Sequence, residues 1–231
     1  PILASLAAMR LAPPPPPRPR AHPVAELRAG LRYVWDRPVL RSSLSMVAAT
    51  AFAGFASGML APVFVADVFH ADARALGQFH AAIASGALFS ALFLSTRASP
   101  AGLGAWISRG ATLVVVGLAG CALSTSLLLT FAFVLANGMG AVLIMAGNNT
   151  LLQAHVDDDK RGLVMGLFVM SQSMFPLGSL AVGAIATASG PRLAVGLCAV
   201  MMAVAAWRFA HSAAGHVAPA GSIAPAPDAP Q

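Results

Sequence analysis

Gly110-ATLVVVGLAGCALSTSLLLTFAFVLANGMGAVLIMAGNNTLLQAH-Val156 contains no aspartate, glutamate, lysine or arginine. Wound as an α-helix at about 1.5 Å per residue it measures about 70 Å, more than twice the ~30 Å hydrocarbon thickness of a bilayer. It is too long for one membrane span and right for two. The polar patch Ser124-Thr125-Ser126 is the natural turn between them.

The same reading extends in both directions. Ser42 to Ala66 carries no charge and ends at Asp67; Ala75 to Thr96 carries only His80 and ends at Arg97. Beyond the central run, Gly162 to Pro191 is uncharged and interrupted by Pro176, and Leu193 to Phe209 closes the series with Arg208 placed to snorkel. These runs predict an all-α membrane protein, a six-transmembrane-helix bundle over 42–210 with spans at about 42–66, 75–96, 105–125, 128–154, 162–188 and 192–210.

Composition excludes the main alternatives. Charged residues make up 10% of the 231-residue chain and hydrophobic ones 58%, against roughly 25% charged in a soluble domain. So few charges cannot cover a water-facing surface. No long period-two alternation of the outer-membrane β-barrel type occurs. The net charge of +6 suggests nucleic acid, but the basic residues lie between apolar runs or ahead of them, with no aromatic-interleaved face. No nucleic-acid partner is expected. Cys121 and Cys198 fall inside apolar runs without metal-ligand spacing, so no metal and no cofactor is implied.

Basic residues also set the orientation. Arg10, Arg18, Arg20, Arg28, Arg32, Arg37 and Arg41 precede the first span, Arg97 and Arg109 follow the second, Lys160 and Arg161 follow the fourth, and Arg208 follows the sixth. With alternating spans these share one side, and only Arg74 and Arg192 fall on the other. That asymmetry predicts both termini in the cytoplasm. Residues 1–12 read as the end of a preceding transmembrane helix. Residues 13–41 read as a cytoplasmic Pro/Arg-rich linker, in which Pro13 to Pro17 form a stiff spacer and Pro23 to Arg41 an amphipathic helix at the membrane surface. Residues 211–231, rich in alanine, proline and glycine, read as a disordered cytoplasmic tail. Two pairs at four-residue spacing, Gly54 with Gly58 and Gly162 with Gly166, suggest close helix approach.

Catalytic signatures are missing. The single glutamate, Glu26, lies outside the spans, and neither a GxSxG elbow nor a phosphate-binding loop ending in Lys-Ser or Lys-Thr occurs. The chain is not expected to be an enzyme. Polar groups within lipid are costly, so each marks either a helix–helix hydrogen bond or the lining of a polar path. Asn149 and Gln172 are the leading candidates to line a substrate cavity, with Asn148, Ser171 and Gln78 behind them. His80 is the membrane-embedded group able to titrate near neutral pH and the candidate for proton coupling. Pro176 and Gly178 mark a helix break, either a packing kink or part of a substrate path.

Two motifs carry a family likeness. Glu26-Leu27-Arg28-Ala29-Gly30-Leu31-Arg32-Tyr33-Val34-Trp35-Asp36-Arg37-Pro38-Val39-Leu40-Arg41 resembles the central cytoplasmic linker of major facilitator superfamily transporters, leading into their seventh span. The stretch from Asn149-Thr150-Leu151-Leu152-Gln153 to Arg161-Gly162-Leu163-Val164-Met165-Gly166 is similar to the family's junction of the tenth and eleventh spans, and Pro176-Leu177-Gly178 to the eleventh. The nearest likeness is to the bacterial efflux branch that includes enterobactin-exporter-like and macrolide-efflux-like proteins. Leu163 stands where that pattern has a second arginine, and Asp157-Asp158-Asp159 where it has a Pro-Asp-Glu-like lead-in.

The resemblance implies the C-terminal half of a twelve-helix fold, partnered by an N-terminal six-helix half of the same transporter. It further implies an antiporter of the bacterial plasma (inner) membrane, multi-pass, performing secondary active efflux of a small-molecule substrate of drug or siderophore type by alternating access. Asp157, Asp158, Asp159 and Arg161 would form a cytoplasmic latch. The rival expectations are a non-transporting orphan half or truncated membrane protein and, more weakly, an intramembrane enzyme.

Overall fold

Why the chain turns where it does follows from a few local devices. Pro38 opens a helix at its first position, while Arg37 before it is extended at φ −115° and ψ 103°, as a residue preceding proline must be. Asp72 caps the next helix by accepting from the Ala75 amide at 3.0 Å. Ser124 and Ser126 are extended, and the Ser124 hydroxyl donates to the Ser126 carbonyl at 2.8 Å, closing the turn. Gly190 takes φ +90°, a conformation that favours glycine, and Pro191 restarts the chain as helix.

The computed structural model describes residues 23–96 and 102–212, and the side chains of these except 23–26 and 55–57. The expectations for 1–12, for the polyproline spacer and for the tail from 213 lie outside the described residues. A short helix, α1 (Pro23–Trp35), is followed by six helices long and apolar enough to cross a membrane. These are α2 (Pro38–Val68), α3 (Ala73–Ser95), α4 (Leu103–Leu123), α5 (Leu127–His155), α6 (Arg161–Ser189) and α7 (Pro191–Ala210). No strand occurs among the described residues. Over the described residues the chain is an all-helical bundle of six candidate spans.

Helix α5 is the hub, packing on α4, α3 and α2. Its contacts are made by glycines that let backbones meet. A Cβ added to Gly86 of α3 would lie 2.1 Å from the Leu135 carbonyl oxygen, and one on Gly138 of α5 would lie 2.1 Å from that of Ile83. Across the α4–α5 contact, a Cβ on Gly140 would lie 2.4 Å from the Gly110 carbonyl oxygen. Small residues are therefore the means of helix association here, but not the pairs that spacing suggested. Gly58, Gly162 and Gly166 have no neighbour within 4 Å of an added Cβ; Gly162 and Gly166 are exposed, and Gly58 borders a small gap between helices.

Two spans are irregular. In α2 the α-helix Pro38–Ala49 widens into a π-helical turn at Thr50–Phe55, tightens to 3₁₀ at Ala56–Leu60, and widens again at Phe64–Val68. In α6 the helix Arg161–Gln172 stops and a second, Phe175–Ser189, begins. The discontinuity falls at Ser173–Met174, just ahead of Pro176, whose ring nitrogen has no hydrogen to donate. Gly178 lies inside the second piece, its amide donating to the Met174 carbonyl at 2.9 Å. Its role is close packing: a Cβ there would sit 2.1 Å from the Phe52 carbonyl oxygen in the π turn of α2.

Candidate functional site

The polar residues of the spans divide by exposure. Asn148 is fully buried; its Nδ2 donates to the Ile144 carbonyl at 2.8 Å, and its Oδ1 has no partner. Ser43 Oγ of α2 is likewise buried and unpartnered. Asn148 is thus turned into the bundle and away from any exposed path. Asn149 is half-buried and accepts a hydrogen bond from Gln153 Nε2 one turn along α5. Gln153, exposed, joins Asn149 in a short amide ladder.

Ser171 satisfies itself by donating to the Leu167 carbonyl at 2.9 Å. Gln172, the last residue of the first piece of α6, is exposed, with the discontinuity immediately after it. Eleven residues in from Arg161, it sits near mid-depth of a 29-residue span. Gln78 and His80 are exposed near the start of α3. His80 Nδ1 donates to the Leu76 carbonyl at 3.0 Å, and its ring meets Phe79 edge-on with centroids 6.0 Å apart. Among the described residues, neither of the two larger cavities draws these groups together. A cavity of about 430 Å³ between α3, α4 and α5 and one of about 300 Å³ near Arg37 and His155 are lined by none of Asn149, Gln172, Gln78 or Ser171.

A second feature lies at the end of the bundle where α1 docks. An added Cβ on Gly30 would come within 2.8 Å of Leu163, so helix α1 rests on the start of α6 at the position where the family likeness would have an arginine. Val34, Leu40, Leu44, Val47, Leu152 and Val164 belong to one apolar cluster there, tying α1, α2, α5 and α6 together. On its rim the Tyr33 hydroxyl donates to Asp157 Oδ2 at 2.9 Å, and Arg37 Nη2 pairs with the same oxygen at 3.0 Å. Arg37 Nη1 also donates to the Tyr33 hydroxyl, and its guanidinium lies 4.1 Å from the centre of that ring. The Tyr33 hydrogen bond first, and then Arg37, hold the Asp157 carboxyl below the usual carboxylate range.

Of the expected latch, Asp157 alone reaches another element in these contacts. Arg161 pairs with Asp158 at 2.8 Å and Lys160 with Asp159 at 3.2 Å, both within the same loop. Tyr33 and Arg37 were the missed partners. Their four-residue spacing beside a helix end was the signal available. No group of three His, Cys, Asp or Glu converges among the described residues.

A family model described as Major Facilitator Superfamily matches residues 1–176. No curated protein matches the chain.

Proposed function

The chain belongs to the Major Facilitator Superfamily, a family of membrane transporters, and from this we propose that it is the carboxyl half of a twelve-span exporter. It moves a small molecule of drug or siderophore type out of the cell by alternating access, rocking against an N-terminal six-helix half. The observation that carries this reading is Gln172: an exposed amide near mid-depth of α6, beside a helix discontinuity. An amide left facing lipid is costly, so such a group is tolerated where it meets protein or a water-filled cavity.

The flanking helices support the same reading. Only 17% of the apolar window of α3 and 22% of that of α6 is buried, against 53% for α2. α3 and α6 therefore each offer a broad face to a further partner, and Gln78 and Gln172 are exposed on these two helices. Asn149 with Gln153 supplies a second polar contact on α5, and His80 is the proton-coupling group. The Tyr33–Arg37–Asp157 contact ties the linker helix to the loop between α5 and α6, where a latch between halves would act. The basic asymmetry supports both termini on the cytoplasmic side, and the family resemblance supports a bacterial inner membrane.

Efflux and uptake of cationic dyes, macrolides and siderophores in cells expressing the full-length gene test the proposal. Export above that of empty cells, reduced about tenfold or more by Gln172→Ala and Asn149→Ala with equal membrane levels, is the expected result. Export untouched by both substitutions would remove these residues from the path. No export of any compound class would favour an orphan half that only inserts.

A further inference from the structure

We propose that the cavity between α3, α4 and α5 is a binding groove for an acyl chain of an anionic phospholipid, with Arg109 holding the phosphate. This inference needs only the membrane placement of the helices and is independent of the transport reading.

α3 and α4 both pack on α5 but scarcely on each other. Between them lies a space of about 430 Å³, walled by Phe89, Phe93, Leu113, Met139 and Leu143. At its mouth Phe93 meets Trp106 edge-on with centroids 5.0 Å apart, and the Arg109 guanidinium stacks over Trp106 at 4.4 Å from the ring centre. The walls are apolar, and the Thr112 hydroxyl within the groove is already engaged by donating to the Ser108 carbonyl at 3.1 Å. Arg109 is exposed and makes no salt bridge among the described residues. Among the described residues it is the one charged group of this lining.

Depth fits a lipid. Arg109 is six residues into α4, about 9 Å along the axis from its start, so its side chain can snorkel to the phosphate level while the groove runs toward the bilayer middle. Trp106 sits where interfacial tryptophans anchor spans. The cation–π contact engages one face of the guanidinium and leaves its N–H edge for phosphate oxygens. An apolar slot with one cation at its outer end therefore matches an anionic lipid better than a zwitterionic one, whose own ammonium would offset the attraction.

Tryptophan quenching reads this directly, since the chain has three tryptophans: Trp35, Trp106 and Trp207. The full chain carrying Trp35→Phe and Trp207→Phe is reconstituted with phosphatidylglycerol or phosphatidylcholine brominated on the acyl chain. Trp106 emission should be quenched at about a fivefold lower mole fraction of the anionic lipid, the preference expected of one near-surface cation. Arg109→Gln should bring the two lipids to parity, Arg109→Lys should retain the preference, and Arg208→Gln should leave it unchanged. Equal quenching by both lipids in the parent protein would overturn the proposal, as would an anionic preference that survives Arg109→Gln. Equal quenching relieved by an added hydrophobic dye would overturn it in favour of a small-molecule groove.

Discussion

The Tyr33 hydroxyl donates to Asp157 Oδ2 at 2.9 Å across a separation of 124 residues. That bond fastens α1 to the loop between α5 and α6, and Arg37 reinforces it from the start of α2 at 3.0 Å. Because the three groups act as one cluster, their deletions should not add. With spin labels at Leu31 and Lys160, Tyr33→Phe, Arg37→Ala and Asp157→Asn should each broaden the distance distribution. The triple substitution should broaden it no further than the largest single. Strict additivity would mean independent contacts.

The same contact has a pH signature. Asp157 has a carboxyl held below its ordinary range by Tyr33 and Arg37. A depressed folded-state pKa gives an attachment fully present above the unfolded pKa and lost as pH falls through the folded one. The spin-label distance should therefore stay constant from pH 8 down to about pH 4, near the ordinary aspartate value, and open only below it. A transition centred well above pH 4 would contradict this origin.

Glycines in the α3–α5 crossing should be intolerant. Gly86→Ala or Gly138→Ala places a Cβ 2.1 Å from a carbonyl oxygen of the facing backbone, which cannot swing aside as a side chain would. Each substitution should destabilise the detergent-solubilised protein by about 1–3 kcal/mol. Gly166→Ala, with nothing within 4 Å, should stay within about 0.5 kcal/mol of the parent. Thermal unfolding followed by circular dichroism ranks the three; equal effects would contradict the packing described.

Ser43 offers an unusual direction of effect. Its hydroxyl is buried with no hydrogen-bond partner, so Ser43→Ala removes a desolvation cost and no bond. The variant should be neutral or more stable by up to about 1 kcal/mol in the same unfolding measurement. Marked destabilisation would reveal a hydrogen-bond partner for the hydroxyl, such as a bound water.

Much of this architecture was legible in the residues, and the reasons are physical. Charge-free runs bounded by Asp67, Arg97 and the Asp157 loop mark spans because charge is expelled from lipid, and Ser124 to Ser126 mark a turn because backbone polar groups need partners there. What escaped reading depends on neighbours distant in sequence. The π and 3₁₀ turns of α2 lie where Gly178 of α6 presses on the Phe52 carbonyl, and nothing in Thr50–Leu60 announces them. Four-residue glycine spacing states that two glycines share a face, but not that another helix lies opposite, which is why Gly162 and Gly166 pack against nothing while Gly86 and Gly138 do. Aspartates at a span end were readable as a charged cluster, yet only the folded chain selects Asp157 for Tyr33 and Arg37.

Water access at Gln172 is the most direct test of a polar path through this half-bundle. In a Cys121→Ala, Cys198→Ala background, Gln172→Cys should react with a membrane-impermeant maleimide in intact membranes, while Val200→Cys, exposed on the apolar helix α7, should not. Protection at position 172 equal to that at position 200 would place Gln172 in lipid or in a dry helix contact, and the transport path drawn through α6 would be wrong.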